Sequence, residues 1–202
     1  MYKTAIFDLG KVLIHFDFQP GYRSLEESCP YSAAQIPQRI APTGLVERFE
    51  TGLVEPRAFF EELRGILDLR VDYEGFRGIW NSIFSEPLIP ESLLEGLAAR
   101  YRLLLLSNTN ALHFEMLRER YHCMLRHFHS LVLSHEVHAM KPNPEIYRVA
   151  IQRAGCLPGE CFYTDDIPAF VEAGRAMGLD AVRFENLAQL QRELAARRIR
   201  WE

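Results

Sequence analysis

Five short apolar runs, separated by helical patterns, constrain the fold of this chain more than any other feature. Each run ends near a polar residue, which is typical of strands buried on both faces of a parallel sheet. The runs lie at residues 4–8, 102–107, 130–134, 161–165 and 180–184. Helical patterns follow at residues 91–100, 111–121, 144–154, 168–177 and 187–197. This alternation predicts an α/β fold with a doubly wound parallel sheet.

The interval between the first run and the second is much longer than one crossover helix. It holds about ninety residues, whereas structureless connections rarely exceed about fifteen. Its sequence indicates helices at residues 21–28, 32–40, 45–51, 56–67 and 73–85, separated by prolines. We therefore predict that residues 1–16 and 89–202 form the α/β core. Residues 17–88 then form a small helical domain inserted after the first strand.

Charge and hydropathy argue against several classes of partner. With a net charge of −4 over 202 residues, the chain has no overall electrostatic attraction to nucleic acid or to an anionic membrane. The chain enters an apolar strand without a leader, and its longest apolar run, residues 103–106, is too short to cross a bilayer. None of its four cysteines forms a C-x-x-C pair, which fits a reducing compartment. We expect a cytoplasmic protein, and the sequence leaves the oligomeric state open.

Polar side chains follow the predicted strands at the edge where an open parallel sheet binds ligands. They are Asp8, Ser107, Lys141, Asp165 and Asp166. Three carboxylates at one edge repel one another, and Mg²⁺ would relieve that repulsion. A lysine and a hydroxyl beside the metal suit a phosphoryl group, which needs positive charge and hydrogen-bond donors. Taken singly, each residue has an ordinary interpretation as a cap or turn residue.

Four segments in a fixed order carry a resemblance to a known family. They are AIFDLGKVL around Asp8, LLLLSNTN around Ser107, MKPNPEIY around Lys141, and FYTDDIPAFVEAGRAMGL around Asp165 and Asp166. On these motifs the chain resembles the haloacid dehalogenase superfamily over essentially its whole length. It is similar to phosphatase-like members that have a Rossmann-like core, a helical C1-type cap and an Asp-Leu-Gly first motif.

The resemblance implies roles for four residues that would act on the substrate. Asp8 would attack phosphorus and form an aspartyl-phosphate, a covalent intermediate that divides one displacement into two steps. Ser107 and the backbone amide of Asn108 would bind the phosphoryl oxygens. Lys141 would hold Asp8 and the phosphate through its charge. The inserted helices would form the cap that covers the substrate and excludes water.

The resemblance also implies a metal site and a class of substrate. Mg²⁺ would be bound by Asp8, by the backbone carbonyl of Gly10 and by Asp166. Asp165 would be either a further ligand or the partner that orients Lys141. The expected function is a Mg²⁺-dependent phosphatase that acts on a small phosphorylated metabolite such as a sugar phosphate.

Two positions depart from the family pattern. Phosphatase members usually have Asp where this chain has Gly10, and that side chain protonates the leaving group. The loss of a positioned acid costs about 10²- to 10⁴-fold in rate. His15 and Asp17 are the nearest substitutes, although loop and capping roles are favoured for both. We expect Gly10→Asp to raise turnover on poor leaving groups. Phe170 stands where relatives often have an Asn or Asp that supports the metal, which predicts weaker metal binding.

Two other functions stay open at this point. A 2-haloacid dehalogenase would use Asp8 to attack carbon without a metal, and Gly10 would then be harmless. The paired acids Asp165 and Asp166 argue against that function. A non-enzymatic scaffold that binds phosphate compounds or another protein is favoured by the two departures. The presence of Asp8, Lys141 and Asp166 argues against such a scaffold.

A histidine-rich cluster and Arg48 are weaker candidates for binding sites. His122, Cys123, His127 and His129 are close in sequence, but their spacing fits no common zinc site. The stretch at residues 47–52 of the predicted insertion could face the substrate. Within it, Arg48 is a candidate anion-binding residue, with a surface ion pair as the favoured alternative.

Overall fold

The computed structural model describes residues 1–202, which form seven strands, twelve α-helices and two short 3-10 helices. The strands are β1 (Thr4–Phe7), β2 (Ile14–Phe16), β3 (Phe84–Pro87), β4 (Arg102–Ser107), β5 (Ser130–Leu133), β6 (Cys161–Asp165) and β7 (Asp180–Arg183). The first helices are α1 (Phe18–Glu26), α2 (Gln35–Ile40), α3 (Leu45–Glu50), α4 (Pro56–Leu67), α5 (Tyr73–Asn81) and α6 (Glu91–Ala98). The remaining helices are α7 (Ala111–Arg120), α8 (His122–Leu125), α9 (Ser134–Val137), α10 (Pro144–Ala154), α11 (Pro168–Ala176) and α12 (Leu187–Ala196).

Five strands form one parallel sheet in the order β5–β4–β1–β6–β7. From the central β1 the chain adds β4 and β5 on one side, then returns to add β6 and β7 on the other. The order of the strands therefore reverses beside β1, and in such sheets ligands bind at this switch point. The predicted α/β fold class is confirmed, and each of the five predicted strands is present.

Side chains of the central strands alternate between two buried cores. One core includes Phe7, Leu103, Leu105 and Phe162. The other includes Ile6, Leu104, Leu106 and Tyr163. Because successive side chains of a strand point to opposite faces, a continuous apolar run fills both layers. Helices on each face cover these layers, so the carboxyl ends of the strands are the part of the sheet that is left for polar side chains.

The helices α1 to α5 share a hydrophobic cluster of their own, which includes Phe49, Phe59, Leu63 and Phe76. The rings of Phe49 and Phe59 stack with their centroids 4.0 Å apart. Leu112 of α7 belongs to the same cluster, so these helices pack against the α/β core. The division of the chain at residues 17 and 88 stays a prediction. No helix in the structure combines the length and the apolar character that crossing a membrane requires.

The predicted helix at residues 73–85 is wrong at its end. The helix α5 stops at Asn81, and residues 84–87 form β3, which pairs antiparallel with β2. The sequence does not predict either strand, because β2 has only three residues with a histidine at its centre, and β3 has the sequence FSEP, so neither forms an apolar run like the five predicted strands. The helices α8 and α9 are also not predicted, because each has only four residues and is too short to show a helical periodicity.

The first inserted helix begins earlier than predicted, at Phe18 rather than at residue 21. The side chain of Asp17 accepts the backbone N–H of Gln19 at 2.9 Å and caps the helix. Pro20 then falls in the first turn, where its missing N–H costs no helical hydrogen bond. The next helix begins later than predicted, at Gln35 rather than at residue 32.

Candidate active site

A buried lysine joins two of the predicted carboxylates at the carboxyl edge of the sheet. Lys141 Nζ donates to Asp8 Oδ1 at 2.7 Å and to Asp165 Oδ2 at 2.6 Å. It also donates to the carbonyl oxygen of Leu106 at 3.1 Å. The lysine side chain is only 1% exposed, so solvent does not screen these ion pairs. Three acceptors around one ammonium hold Lys141, and with it Asp8, in a fixed position.

The two neighbouring acids at the end of β6 differ in their surroundings. Asp165 is buried, and Tyr163 donates its hydroxyl to Asp165 Oδ2 at 2.6 Å. The backbone N–H of Ile167 donates to Asp165 Oδ1 at 2.9 Å, so donors of the chain engage both oxygens of this carboxylate. Asp166 is half-buried. This arrangement favours Asp165 as the partner of Lys141 and leaves Asp166 as the more available carboxylate.

The acidic groups of the site outnumber its cations. Carboxylate oxygens of Asp8, Asp165 and Asp166 all lie within 4.8 Å of one another. Burial raises the pKa of Asp8, and the nearby Asp165 adds to this increase against the effect of Lys141. Burial and Asp165 likewise raise the pKa of Asp166. Burial acts to lower the pKa of Lys141, but its two carboxylate partners raise it above the usual value.

This set of side chains fits a bound divalent cation. Hard carboxylate oxygens are the ligands that Mg²⁺ prefers. A cation would stabilise the ionised forms of Asp8 and Asp166, which burial now disfavours. No other group of histidine, cysteine and acidic residues in the structure has comparable geometry.

The turn after β4 presents a hydroxyl and a backbone amide to the same edge. Ser107 is buried, and its hydroxyl contacts only the carbonyl oxygen of Asn108, at 3.4 Å. The side chain of Asn108 accepts the N–H of Lys141 at 2.8 Å and donates to the carbonyl of Lys141 at 3.0 Å. The Asn108 side chain thus aligns this turn with the lysine. The backbone amide of Asn108 is the group predicted to bind phosphoryl oxygens.

Two adjoining cavities lie between the strand ends and the inserted helices. The smaller, of about 80 Å³, is bordered by Gly10, Phe16, Ser107, Asn108 and Thr109. The larger, of about 260 Å³, is lined mostly by apolar side chains, including Tyr22, Leu25, Ile40 and Trp80. Phe18, Glu50, Ile83 and His113 line both cavities. A substrate whose phosphate lies beside Ser107 would therefore extend its other end under the inserted helices.

A model of the haloacid dehalogenase-like hydrolases matches residues 2–178. The chain belongs to this family. The resemblance that its four motifs carry is thereby confirmed, together with the hydrolase class. Asp8, Lys141 and Asp165 are the family's motif residues that the structure brings into direct contact.

Similar proteins span almost the full length of this haloacid dehalogenase-like hydrolase. A D-ribitol-5-phosphate phosphatase of Bacteroides thetaiotaomicron is 25% identical over 201 residues, which are 96% of this chain and 97% of the relative. A haloacid dehalogenase (HAD) family enzyme from the same organism has been solved in complex with magnesium and inorganic phosphate. Its structure matches this one with a TM-score of 0.78 and 25% identity, over 94% of this chain and 99% of that chain. A HAD-like hydrolase from Porphyromonas gingivalis has a TM-score of 0.84 and 26% identity over 96% and 98% of the chains.

An aromatic ring occupies the space that a side chain at position 10 would need. A β-carbon on Gly10 would lie 2.5 Å from Cε1 of Phe16. The Phe16 ring is itself packed, with centroid distances of 5.2 Å to Phe18 and 5.9 Å to Phe84. The ring thus fills the space that the acidic side chain of other members would enter.

The two predicted substitutes for the missing acid do not line these cavities. His15 Nδ1 lies 2.9 Å from Ser85 Oγ, and Asp17 is exposed at the start of α1. The capping interpretation of Asp17 is confirmed, whereas the loop interpretation of His15 is wrong, because His15 lies in strand β2. Glu50, which belongs to the stretch at residues 47–52 that could face the substrate, lines both cavities instead. In the sequence it is one acid among several in a helical pattern, and only tertiary packing shows its position.

Phe170 packs over the lysine rather than beside the acids. The Lys141 Nζ atom lies 5.1 Å from the centroid of the Phe170 ring, a distance at which a cation and an aromatic face attract. The Phe170 carbonyl oxygen accepts the Tyr147 hydroxyl at 2.9 Å. The departure at this position therefore supports the lysine and its burial. The weaker metal binding expected from Phe170 stays a prediction.

The histidine-rich cluster and Arg48 have ordinary structural roles. His127 pairs with Glu91 at 3.1 Å, and His129 Nδ1 accepts the backbone N–H of Leu103 at 3.1 Å. These separate partners do not form a zinc site. Arg48 forms an exposed ion pair with Glu62 at 2.8 Å, as the favoured alternative predicted.

Proposed function

We propose that this chain is a Mg²⁺-dependent phosphatase that hydrolyses a small phosphorylated metabolite through an aspartyl-phosphate on Asp8. The observation that carries the proposal is the buried 2.7 Å contact between Lys141 Nζ and Asp8 Oδ1, beside three converging carboxylates. The similarity to a D-ribitol-5-phosphate phosphatase and to an enzyme in complex with magnesium and phosphate supports this class of reaction.

Asp8, Asp166 and the backbone carbonyl of Gly10 would hold the metal, and Asp165 would orient Lys141. The bound cation supplies positive charge to the phosphoryl oxygens. The hydrogen bonds that Asp165 accepts from Tyr163 and Ile167 support its orienting role. Asp166, which is half-buried and next to this fixed carboxylate, is the ligand better able to adapt its position to a metal.

The chain's own residues would carry out two displacements. A carboxylate oxygen of Asp8 bonds to phosphorus while the bond from phosphorus to the leaving oxygen breaks. Lys141 favours the ionised form of Asp8 through the 2.7 Å contact, and the Ser107 hydroxyl and the Asn108 amide would donate to the phosphoryl oxygens. Water then attacks phosphorus and releases Asp8 and inorganic phosphate.

The inserted helices would act as the cap of this phosphatase. Residues 17–88 would cover the phosphate and bind the other end of the substrate in the apolar cavity of about 260 Å³. The relative that acts on D-ribitol 5-phosphate makes sugar and sugar-alcohol phosphates the first substrates to assay. Because the cavity wall is mostly apolar, aryl phosphates belong in the same substrate panel.

Hydrolysis of D-ribitol 5-phosphate and of p-nitrophenyl phosphate is expected to require Mg²⁺. Removal of the ion with EDTA should lower the rate by at least about 10²-fold, because several kcal/mol of charge stabilisation are lost. Released phosphate is measured with and without EDTA, and activity should return when Mg²⁺ is added in excess. Full activity in EDTA would contradict the metal-dependent mechanism. Halide release from a 2-chloroacid without metal would instead indicate a dehalogenase.

The substitution Gly10→Asp is expected to lower stability and to give no gain in turnover, which replaces the gain expected from sequence. The new β-carbon would lie 2.5 Å from Phe16 Cε1, and the packed ring has to move. Such overpacking costs about 1–3 kcal/mol. Urea unfolding and the hydrolysis of phenyl phosphate measure the two effects.

A matched control separates the clash from the added charge. Gly10→Ala introduces the same β-carbon without a carboxyl group and should show a similar loss of stability. A Gly10→Asp protein that is as stable as the wild type and faster on phenyl phosphate would show that the Phe16 ring yields easily.

A further inference from the structure

The proposed reaction needs a proton at the leaving oxygen, and Gly10 has no side chain to supply one. Only two residues with titratable side chains line the cavity that borders Gly10, Ser107 and Asn108; they are Glu50 and His113. Since the proposed phosphate position is beside Ser107, which lines this cavity, a proton donor for the leaving group would have to face the same cavity. The choice of donor is therefore between these two side chains.

His113 is poorly suited to donate a proton. Burial lowers the pKa of His113 to about 3, so its imidazole is neutral at physiological pH. Its Nδ1 atom is 3.0 Å from Asn81 Oδ1, and its ring stacks on Trp80 with a centroid distance of 5.5 Å. These contacts give His113 a structural role in joining α7 to the inserted helices.

Glu50 lies where the inserted helices meet the catalytic edge. It is the last residue of α3, it is half-buried, and it lines both the small polar cavity and the large apolar one. It also lines a third cavity, which is bordered by Lys141 and Asn143. A carboxyl group in this position faces the region between the phosphate site and the space for the leaving group.

The turn after Glu50 is held against the α/β core. His138 Nδ1 donates to the carbonyl oxygen of Thr51 at 2.8 Å. A β-carbon on Gly52 would lie 2.0 Å from the carbonyl oxygen of His135, and Gly52 has a φ of +70°. This close approach requires glycine, and it fixes the end of α3, and with it Glu50, relative to the catalytic edge.

The protonation of Glu50 suits an acid that acts near neutral pH. Burial raises the pKa of Glu50 to about 7. The other titratable side chains that line its cavities are Tyr22, Glu47, His113, His138 and Lys141. None of them forms an ion pair with Glu50, and Lys141 is occupied by Asp8 and Asp165. A pKa near the working pH lets one group both give and take a proton.

We propose that Glu50 is the general acid–base residue of this phosphatase, in the role that Gly10 cannot fill. In the first displacement the Glu50 proton passes to the leaving oxygen as its bond to phosphorus breaks and the bond from Asp8 to phosphorus forms. In the second displacement the Glu50 carboxylate takes a proton from the attacking water as the bond between phosphorus and Asp8 breaks. This inference rests on the proposed function.

The test compares two phosphate esters of similar shape whose leaving groups differ in how much they need protonation in order to leave. Glu50→Gln should lower the rate of the first displacement of phenyl phosphate, followed as phenol release in a single turnover, by about 10²-fold or more, because phenolate leaves poorly without a proton. The same variant should lower the single-turnover release of nitrophenolate from p-nitrophenyl phosphate by less than about tenfold, since nitrophenolate needs little protonation. The steady-state kcat should fall for both esters, because both share the second displacement, in which Glu50 acts as the base. Glu50→Asp keeps an acid and should recover part of the phenyl phosphate activity.

Glu55→Gln serves as the matched control, because Glu55 is an exposed glutamate of the inserted segment that lies outside these cavities. It should change neither ester's rate. Mg²⁺-dependent binding of inorganic phosphate to Glu50→Gln checks that the site is intact. Equal losses in the single-turnover rates for both esters, or a rise in KM with these rates unchanged, would overturn the role of Glu50. If the wild type hydrolyses neither these esters nor D-ribitol 5-phosphate, the proposed function itself fails.

Discussion

Replacing Asp8 with asparagine is expected to remove nearly all phosphatase activity while leaving the protein folded. An amide oxygen is a poor nucleophile, and loss of the attacking residue in a covalent mechanism costs roughly 10⁴- to 10⁶-fold in kcat. The change also removes one negative charge from a cluster whose carboxylate oxygens lie within 4.8 Å of one another. The Tm without Mg²⁺ should therefore stay equal or rise, which is the usual trade between activity and stability.

Turnover at saturating substrate and Mg²⁺, together with the Tm, measures both parts of this result. Asp17→Asn is the matched control, because Asp17 is an exposed helix cap and asparagine caps helices equally well. It should retain full activity. An Asp8→Asn protein with more than about a tenth of the wild-type kcat would contradict the nucleophilic role, as the expected loss is far larger. Trapping of phosphate on a residue other than Asp8 would contradict it as well.

Lys141→Met should cause the largest loss of stability among single changes at the site. Lys141 neutralises Asp8 and Asp165 in a position where its side chain is 1% exposed. Removing one partner of a buried ion pair leaves uncompensated charge and costs about 3–5 kcal/mol. The variant should also lose activity, because no cation then faces the nucleophile. Urea unfolding in EDTA measures the stability without any contribution from bound metal.

Two further variants test the electrostatic cause of this loss. Lys3→Met removes an ion pair with Glu160 whose lysine side chain is 62% exposed, and it should change stability little. Adding Asp165→Asn to Lys141→Met removes one of the unpaired carboxylates and should restore part of the stability. A Lys141→Met protein as stable as the wild type would mean that the two acids take up protons without penalty.

The residues at the strand ends could be predicted from sequence because the parallel sheet itself brings them together. Asp8 follows β1 and Asp165 ends β6, and these two strands pair directly in the sheet. Lys141 follows the third predicted strand and reaches both acids through a long, flexible side chain. Once the strands are assigned, topology alone places these groups at one edge.

Glu50 and Phe16 could not be predicted in the same way. Glu50 belongs to a helix whose position depends on contacts distant in sequence, such as the bond from His138 to Thr51. Phe16 is on β2, a strand of three residues that pairs with β3 across the whole insertion. No periodicity in the sequence encodes either contact, because both arise only when the inserted helices pack on the core.

The pairing of β2 with β3 has a consequence for how such a protein diversifies. Phe16 lies opposite Phe84, so the chain leaves and returns at neighbouring points. A segment whose ends meet can grow, shrink or be exchanged at a small entropic cost, which rises only with the logarithm of its length. The registers of the five parallel strands are then untouched. Under the proposed function, exchanging this one continuous stretch would change the substrate cavity and the proton donor Glu50 together, while Asp8, Lys141, Asp165 and Asp166 would stay in place.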